Sequence, residues 1–149
     1  MRQWPSVGDI EDEVPSMTIS RYVHSMLEAD RSALRLGVVA SEASGGHAKV
    51  RQRVTPDMAN GHGVAQGGFI FALADQAFAC AANSVLEGTA TVDASISYLS
   101  PALVGDELEA DAHVIYWDER RVVADITVRE GERIVALVRG TGRLMRRVV

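Results

Sequence analysis

The sequence predicts an α+β fold in which a curved antiparallel sheet of five to six strands wraps one long apolar helix. Three observations carry this expectation. Between Phe69 and Ala82 only Asp75 and Gln76 are polar, so a helix there is hydrophobic on most of its surface and must be covered. Most of the remaining chain falls into short alternating segments separated by tight turns, the pattern of an antiparallel sheet. The order of elements is helix, two strands, long helix, four strands, and a sheet around the helix is the economical way to layer them. Ala72, Ala74, Ala77, Ala79, Ala81 and Ala82 would let that sheet approach closely.

Taken in order, residues 1–16 carry Pro5, Pro15 and the acidic group Asp9, Glu11, Asp12 and Glu13 with little apolar period, and read as a flexible lead-in. The domain is expected to span residues 17–149. From Met17 to Ala33 the positions Ile19, Val23, Met26, Leu27 and Ala33 fit a helical stripe that Ser16 could cap. Leu34–Ser44 and His47–Val54 read as a hairpin turning at Gly45-Gly46. Thr55-Pro56-Asp57 closes it, since proline cannot donate to a ladder. The long helix follows, with Gly88 expected as its left-handed cap. Ala90–Leu99 alternates Val92, Ala94, Ile96 and Tyr98 against Thr91, Asp93, Ser95 and Ser97. Leu108–Trp117 and Arg121–Arg129 pair around Asp118-Glu119, and Arg133–Leu144 is a last long strand.

At 149 residues the chain supports one domain with a real core. A net charge of -5 argues against a nucleic-acid partner, because phosphate binding needs a basic surface. Cys80 stands alone in the apolar helix and reads as a buried small hydrophobe. No signal-peptide pattern or spanning apolar run is apparent, so a cytoplasmic location without membrane association is the expectation.

The chemistry concentrates where Asn60-Gly61-His62-Gly63-Val64-Ala65-Gln66-Gly67-Gly68 feeds the apolar helix. The first N–H groups of a helix have no internal partner and sit at the positive end of its dipole. Glycine there admits a ligand atom to the backbone, which suits an oxyanion site. On glycines alone, a plain tight turn remains the blander reading. Asp75 is the sharper signal: a carboxylate in an apolar helix is costly to bury without a use. It is either held by backbone or hydroxyl partners, or acts as general base or nucleophile at a carbonyl carbon. Eight helical residues between Gly67 and Asp75 correspond to roughly 12 Å of rise and about 80° of rotation. Both groups cannot reach one carbonyl carbon from the same helix. If both act in one reaction, the carboxylate comes from a second subunit across a symmetric interface.

At these residues the chain resembles the hotdog-fold acyl-CoA thioesterases, and most of all the phenylacetate-degradation thioesterase family. The likeness rests on Asn60-Gly61-His62, Gly67-Gly68, Leu73-Ala74-Asp75, Ala77-Phe78-Ala79 and Asn83-Ser84, with Ser97-Tyr98-Leu99-Ser100-Pro101 and Leu137-Val138-Arg139-Gly140-Thr141-Gly142 downstream. It covers roughly residues 22–146. The resemblance implies hydrolysis of an acyl-CoA thioester, with phenylacetyl-, hydroxyphenylacetyl- or a related aromatic or medium-chain acyl group. It implies catalytic roles for Asp75, for the Gly67 N–H, for Thr91 as the hydroxyl that positions water, and for Asn60 in the loop. Gly68, His62, Tyr98 and Ser100 are the candidate substrate contacts, with a merely solvated or structural loop histidine as the alternative at His62. It further implies a homodimer whose sheets run into one, dimers pairing into a tetramer, and no cofactor beyond the coenzyme A carried by the substrate.

One position departs from the family, where histidine commonly precedes Gly-Gly and Gln66 stands here. Glutamine cannot titrate near neutrality, so Gln66 is expected to orient or polarise the thioester carbonyl rather than act as an acid. His24, His47 and His113 show no metal-ligand spacing with one another or with Cys80, and no metal is expected. Arg139, Arg143, Arg146 and Arg147 read as a solvated strand edge or as an attraction for coenzyme A phosphates. Two rival functions stay open: a non-catalytic acyl-CoA-binding hotdog protein, and a hotdog hydratase or dehydratase. The latter chemistry calls for a His/carboxylate pair.

Overall fold

Helix α3 spans Gly67–Asn83 and buries Leu73, Ala74, Ala77, Phe78 and Ala81 against the sheet. The computed structural model describes residues 18–146. The flexible lead-in, the Ser16 cap and Arg147 lie outside the described residues. The sheet meets α3 with small side chains of its own, Ala48, Ala110, Ala112, Ala124 and Ala136, all fully buried. Alanine facing alanine sets the close approach, while Phe78 and Leu73 supply bulk, each contributing about 1.5–3 kcal/mol by leaving water.

The six strands are β1 Val39–Ser44, β2 His47–Arg53, β3 Thr89–Tyr98, β4 Glu107–Trp117, β5 Arg121–Glu130 and β6 Arg133–Leu144. They form one sheet in the order β1-β2-β4-β5-β6-β3, with every neighbour antiparallel. The β1–β2 turn falls at Gly45-Gly46, whose φ values of 58° and 84° match the mirror-image turn that glycine allows. The other predicted hairpin, β4–β5, is also in place. β3 pairs only with β6, so its other edge is unpaired among the described residues.

Three expectations about element ends are corrected. The stripe from Met17 to Ala33 is not one helix but two, α1 Arg21–Glu28 and α2 Arg31–Leu36. Asp30 separates them by taking an extended ψ of 94° and accepting the Ala33 N–H at 3.0 Å, a new helix start. The cap of α1 is Ser20, which accepts from the Val23 N–H. The first strand begins at Val39 rather than Leu34, because Gly37 at φ 69° first closes α2. Lastly, α3 ends at Asn83 with Ser84 as its cap; Gly88, at φ 88°, instead shapes the turn into β3.

Asn83 and Ser84 lock that end of the helix. The buried Asn83 side chain donates to the carbonyls of Ala79 and Thr89 at 2.9 and 3.0 Å and accepts the N–H groups of Gly88 and Thr89 at 2.9 and 3.0 Å. Ser84 Oγ accepts the Gly46 N–H at 2.8 Å, tying the first hairpin to the same point. The start of β3 is thereby held against α3, which fixes where the next residues of that strand can reach.

Candidate active site

Strand β3 runs back along α3 and is tied to it at three levels. Thr89 meets Asn83, Thr91 Oγ1 donates to Asp75 Oδ1 at 2.8 Å, and Tyr98 Oη donates to the Gly67 carbonyl at 2.8 Å. The middle tie needs a fault in the strand. Opposite β6, Thr91 pairs with Gly142 and Asp93 with Thr141, so Val92 is an extra residue, a β-bulge. Strict alternation would group Thr91 with the outward Ser95 and Ser97. The bulge shifts the phase and puts Thr91 on the face of Ala94, Ile96 and Tyr98, toward the helix. Sequence periodicity missed this; the family resemblance alone singled out Thr91.

Asp75 is half-buried, with Thr91 as its side-chain partner. A threonine hydroxyl that donates to the carboxylate keeps its lone pairs for a water hydrogen, and the carboxylate keeps an oxygen able to take a proton. The pair can therefore hold a water through both its hydrogens and leave the water oxygen free to attack.

The loop ahead of α3 is built by its own hydrogen bonds. Asn60 Oδ1 accepts the N–H groups of His62 and Val64 at 2.9 and 3.4 Å, and the Asn60 N–H donates to the Val64 carbonyl at 2.7 Å. Asn60, counted as catalytic by resemblance, is placed as the residue that shapes this loop. His62 is exposed on its outside. The Gln66 N–H donates to the Met58 carbonyl at 2.8 Å, while its exposed side chain makes no capping bond and is free at the loop mouth.

Neither the Gly67 nor the Gly68 N–H meets an acceptor among the described residues. A side chain at Gly67 would displace the Tyr98 ring, because an added Cβ would lie 2.9 Å from Tyr98 Cζ. Beside it runs an open, mainly apolar groove of about 400 Å³ lined by Val64, Ile70, Tyr98, Leu99 and Ser100, among others. Ser100 lines it, yet its hydroxyl is engaged in donating to the Ile134 carbonyl at 2.7 Å and accepting from Arg133 at 3.0 Å. Two groups of residues thus emerge: Gly67, Gln66, Tyr98 and the groove at the helix start, and Asp75 with Thr91 two turns on. The unbroken helix keeps them apart by the roughly 12 Å its rise requires.

The terminal arginines differ. Arg139 is committed to Asp125 through two bonds of 2.7 and 2.8 Å, which hold that carboxyl below its ordinary range. Arg143 instead lines an open depression of about 810 Å³ with Asp118, Glu119, Arg120 and Arg121.

Comparison with known proteins decides the family. The Thioesterase superfamily profile matches residues 62–137, the stretch that holds His62, Gln66, Gly67, Asp75, Thr91 and Tyr98. The chain belongs to the thioesterase superfamily. This thioesterase is 41% identical over 120 residues to the acyl-coenzyme A thioesterase PaaI of Escherichia coli, covering 78% of the chain and 84% of the relative. The solved structure of E. coli PaaI, from the phenylacetic acid degradation operon, superposes with a TM-score of 0.80 at 36% identity over 84% of this chain and 91% of that one. Protein TT0310 of Thermus thermophilus gives 0.75 at 32% identity, over 78% and 98%. The protein smu.793 of Streptococcus mutans UA159, solved bound to acetyl CoA, gives 0.68 at 29%, over 72% and 88%. The structure has the hotdog fold, and the chain is a thioesterase, as the family resemblance implied. No helix among the described residues is long and apolar enough to cross a membrane.

Proposed function

We propose that this thioesterase hydrolyses acyl-CoA thioesters, with an aromatic or medium-chain acyl group such as phenylacetyl or hydroxyphenylacetyl. The Thr91–Asp75 contact is the observation that carries the reading, because it prepares a carboxylate and a hydroxyl to hold one water. Asp75 draws a proton from that water as its oxygen attacks the thioester carbon. The carbonyl electrons move to oxygen, where the Gly67 N–H of a neighbouring subunit stabilises the charge. Collapse of this adduct breaks the C–S bond, and the leaving thiolate recovers the proton from Asp75. Water and thioester suffice, and coenzyme A enters as part of the substrate.

The nature of the E. coli relative and the acetyl CoA bound by the S. mutans protein support the substrate class. The apolar groove beside Gly67 supports an apolar acyl group, with Tyr98 at its wall and the Gln66 amide at the carbonyl. We further propose a homodimer joined along β3, with dimers pairing into a tetramer. In support, the β3 edge is unpaired among the described residues, Val92 is 57% exposed on it, and Phe71, Ala72, Asp75 and Ala79 leave a half-exposed stripe along α3. A cytoplasmic location is consistent with a coenzyme A ester as substrate and with the free thiol of Cys80. Hydratase chemistry is disfavoured because the partner of Asp75 is a hydroxyl and not an imidazole.

A panel of acyl-CoA esters with released thiol recorded tests this reading. Turnover is expected, and Asp75→Asn should lower kcat by about 10²–10⁴-fold with the assembly intact. Binding of the esters without thiol release by the native protein would refute it in favour of a non-catalytic binder.

A further inference from the structure

The outer face of the sheet carries a cluster for which thioester hydrolysis has no use. His47 in β2 stands opposite His113 in β4, and Asp111, two residues before His113, shares their face. His47 Nε2 lies 2.7 Å from Asp111 Oδ1, and His113 Nε2 lies 3.0 Å from the same oxygen. The two imidazoles stack with centroids 4.3 Å apart and planes 19° from parallel. The donor atoms of all three side chains lie within 4.8 Å of one another. On the other side of His47, its Nδ1 is 3.5 Å from Glu42 Oε2 in β1.

His47 therefore stands between two carboxylates, both of which only accept hydrogen bonds when ionised. A neutral imidazole has one N–H and can serve one of them. A divalent cation on the Asp111 side satisfies the whole arrangement. Nε2 then gives its lone pair to the metal and the Nδ1–H faces Glu42 Oε2, 3.5 Å away, on the side where ligating histidines commonly have carboxylate support. Tetrahedral zinc, with bonds of roughly 2.0–2.2 Å, spaces its ligand atoms about 3.3 Å apart. The two nitrogen-to-oxygen contacts need to open by about 0.3–0.6 Å to reach that spacing, on a sheet surface where the His113 side chain is 60% exposed. Two imidazoles and a carboxylate suit zinc and its transition-metal neighbours better than calcium or magnesium. Lys49, 3.9 Å from Glu42, offsets only one of the two carboxylate charges.

We propose that His47, Asp111 and His113 form a divalent transition-metal site of the zinc type, with Glu42 orienting His47 and solvent supplying the remaining ligand. The site sits on the opposite sheet face from Asp75, three and four strand positions from β3, and it would staple β2 to β4. Histidine spacing in the sequence could not show it, because strand pairing brings the ligands together.

Titration of the metal-stripped full-length protein with zinc chloride tests the proposal, followed by calorimetry and by the visible absorption of the cobalt(II) form. One zinc per chain is expected, with a zinc-dependent rise in Tm. His113→Gln and His47→Gln should each weaken binding by at least about tenfold and remove the four-coordinate cobalt bands. Glu42→Gln should weaken it by about tenfold, while His24→Gln leaves it unchanged. Asp111→Asn carries the same test should a histidine variant fail to fold. The absence of saturable binding up to about 100 µM zinc, or undiminished binding in His113→Gln, would overturn the site.

Discussion

The Thr91 hydroxyl donates to the Asp75 carboxylate across 2.8 Å, from a strand whose bulge at Val92 turns Thr91 toward the helix. Thr91→Val keeps the shape but removes the hydrogen-bonding oxygen, so kcat should fall by about 10–100-fold with KM little changed. Thr91→Ser should retain most of the rate. Steady-state kinetics on one good ester makes the comparison, and an undiminished rate in Thr91→Val beside a loss in Thr91→Ser would mean that shape and not the hydroxyl matters.

Gly67 and Asp75 sit on one helix but are proposed to serve different sites. Gly67→Ala puts a Cβ 2.9 Å from Tyr98 Cζ, displaces that ring from the helix start and should lower turnover sharply. Mixed dimers of Gly67→Ala with Asp75→Asn should regain activity, because one of their two sites is intact. For random reassociation the expected recovery is about one quarter of the native rate. No recovery in verified mixed dimers would place the whole site within one chain.

Asn83 makes four hydrogen bonds from a position 2% exposed. Asn83→Ala strips the Gly88 and Thr89 N–H groups and two carbonyls of their partner and should cost about 2–4 kcal/mol. A shift of the urea midpoint at unchanged m-value reads this out. Activity should also drop, since Thr89 and Thr91 belong to the same strand start.

Cys80 is fully buried, and burial pushes its thiol up to about 12. It should ignore a disulfide thiol-trapping reagent at pH 8 in the native protein. One thiol per chain should react after unfolding in guanidinium. A native protein that consumes the reagent would contradict this burial.

Asp118 accepts the Arg120 N–H and the Tyr116 hydroxyl with further help from Arg121, which holds its carboxyl at about 2 against an ordinary 3.8. Between those values the folded state binds fewer protons than the unfolded chain, so stability rises with pH through that window. The contribution is complete above about pH 4 and is lost as the pH falls toward 2. Asp118→Asn should flatten this part of a Tm-against-pH curve and leave the neutral region parallel to the native one.

Much of this protein was determined locally. The apolar run from Phe69 to Ala82 specified α3, because such a surface needs covering on most sides. Gly45-Gly46 set a turn through its positive φ values. The rise of eight helical residues alone separated the Gly67 N–H from the Asp75 carboxylate. These properties depend on neighbours within a few residues, and a linear pattern records them. Only the tertiary structure decided the face of Thr91, the loop-shaping work of Asn60 and the engagement of the Ser100 hydroxyl. It alone brought His47 and His113 together. Each of these depends on which strand lies beside which, and in what register. A single extra residue at Val92 reverses the inside and outside of a strand without altering the alternation that the sequence displays.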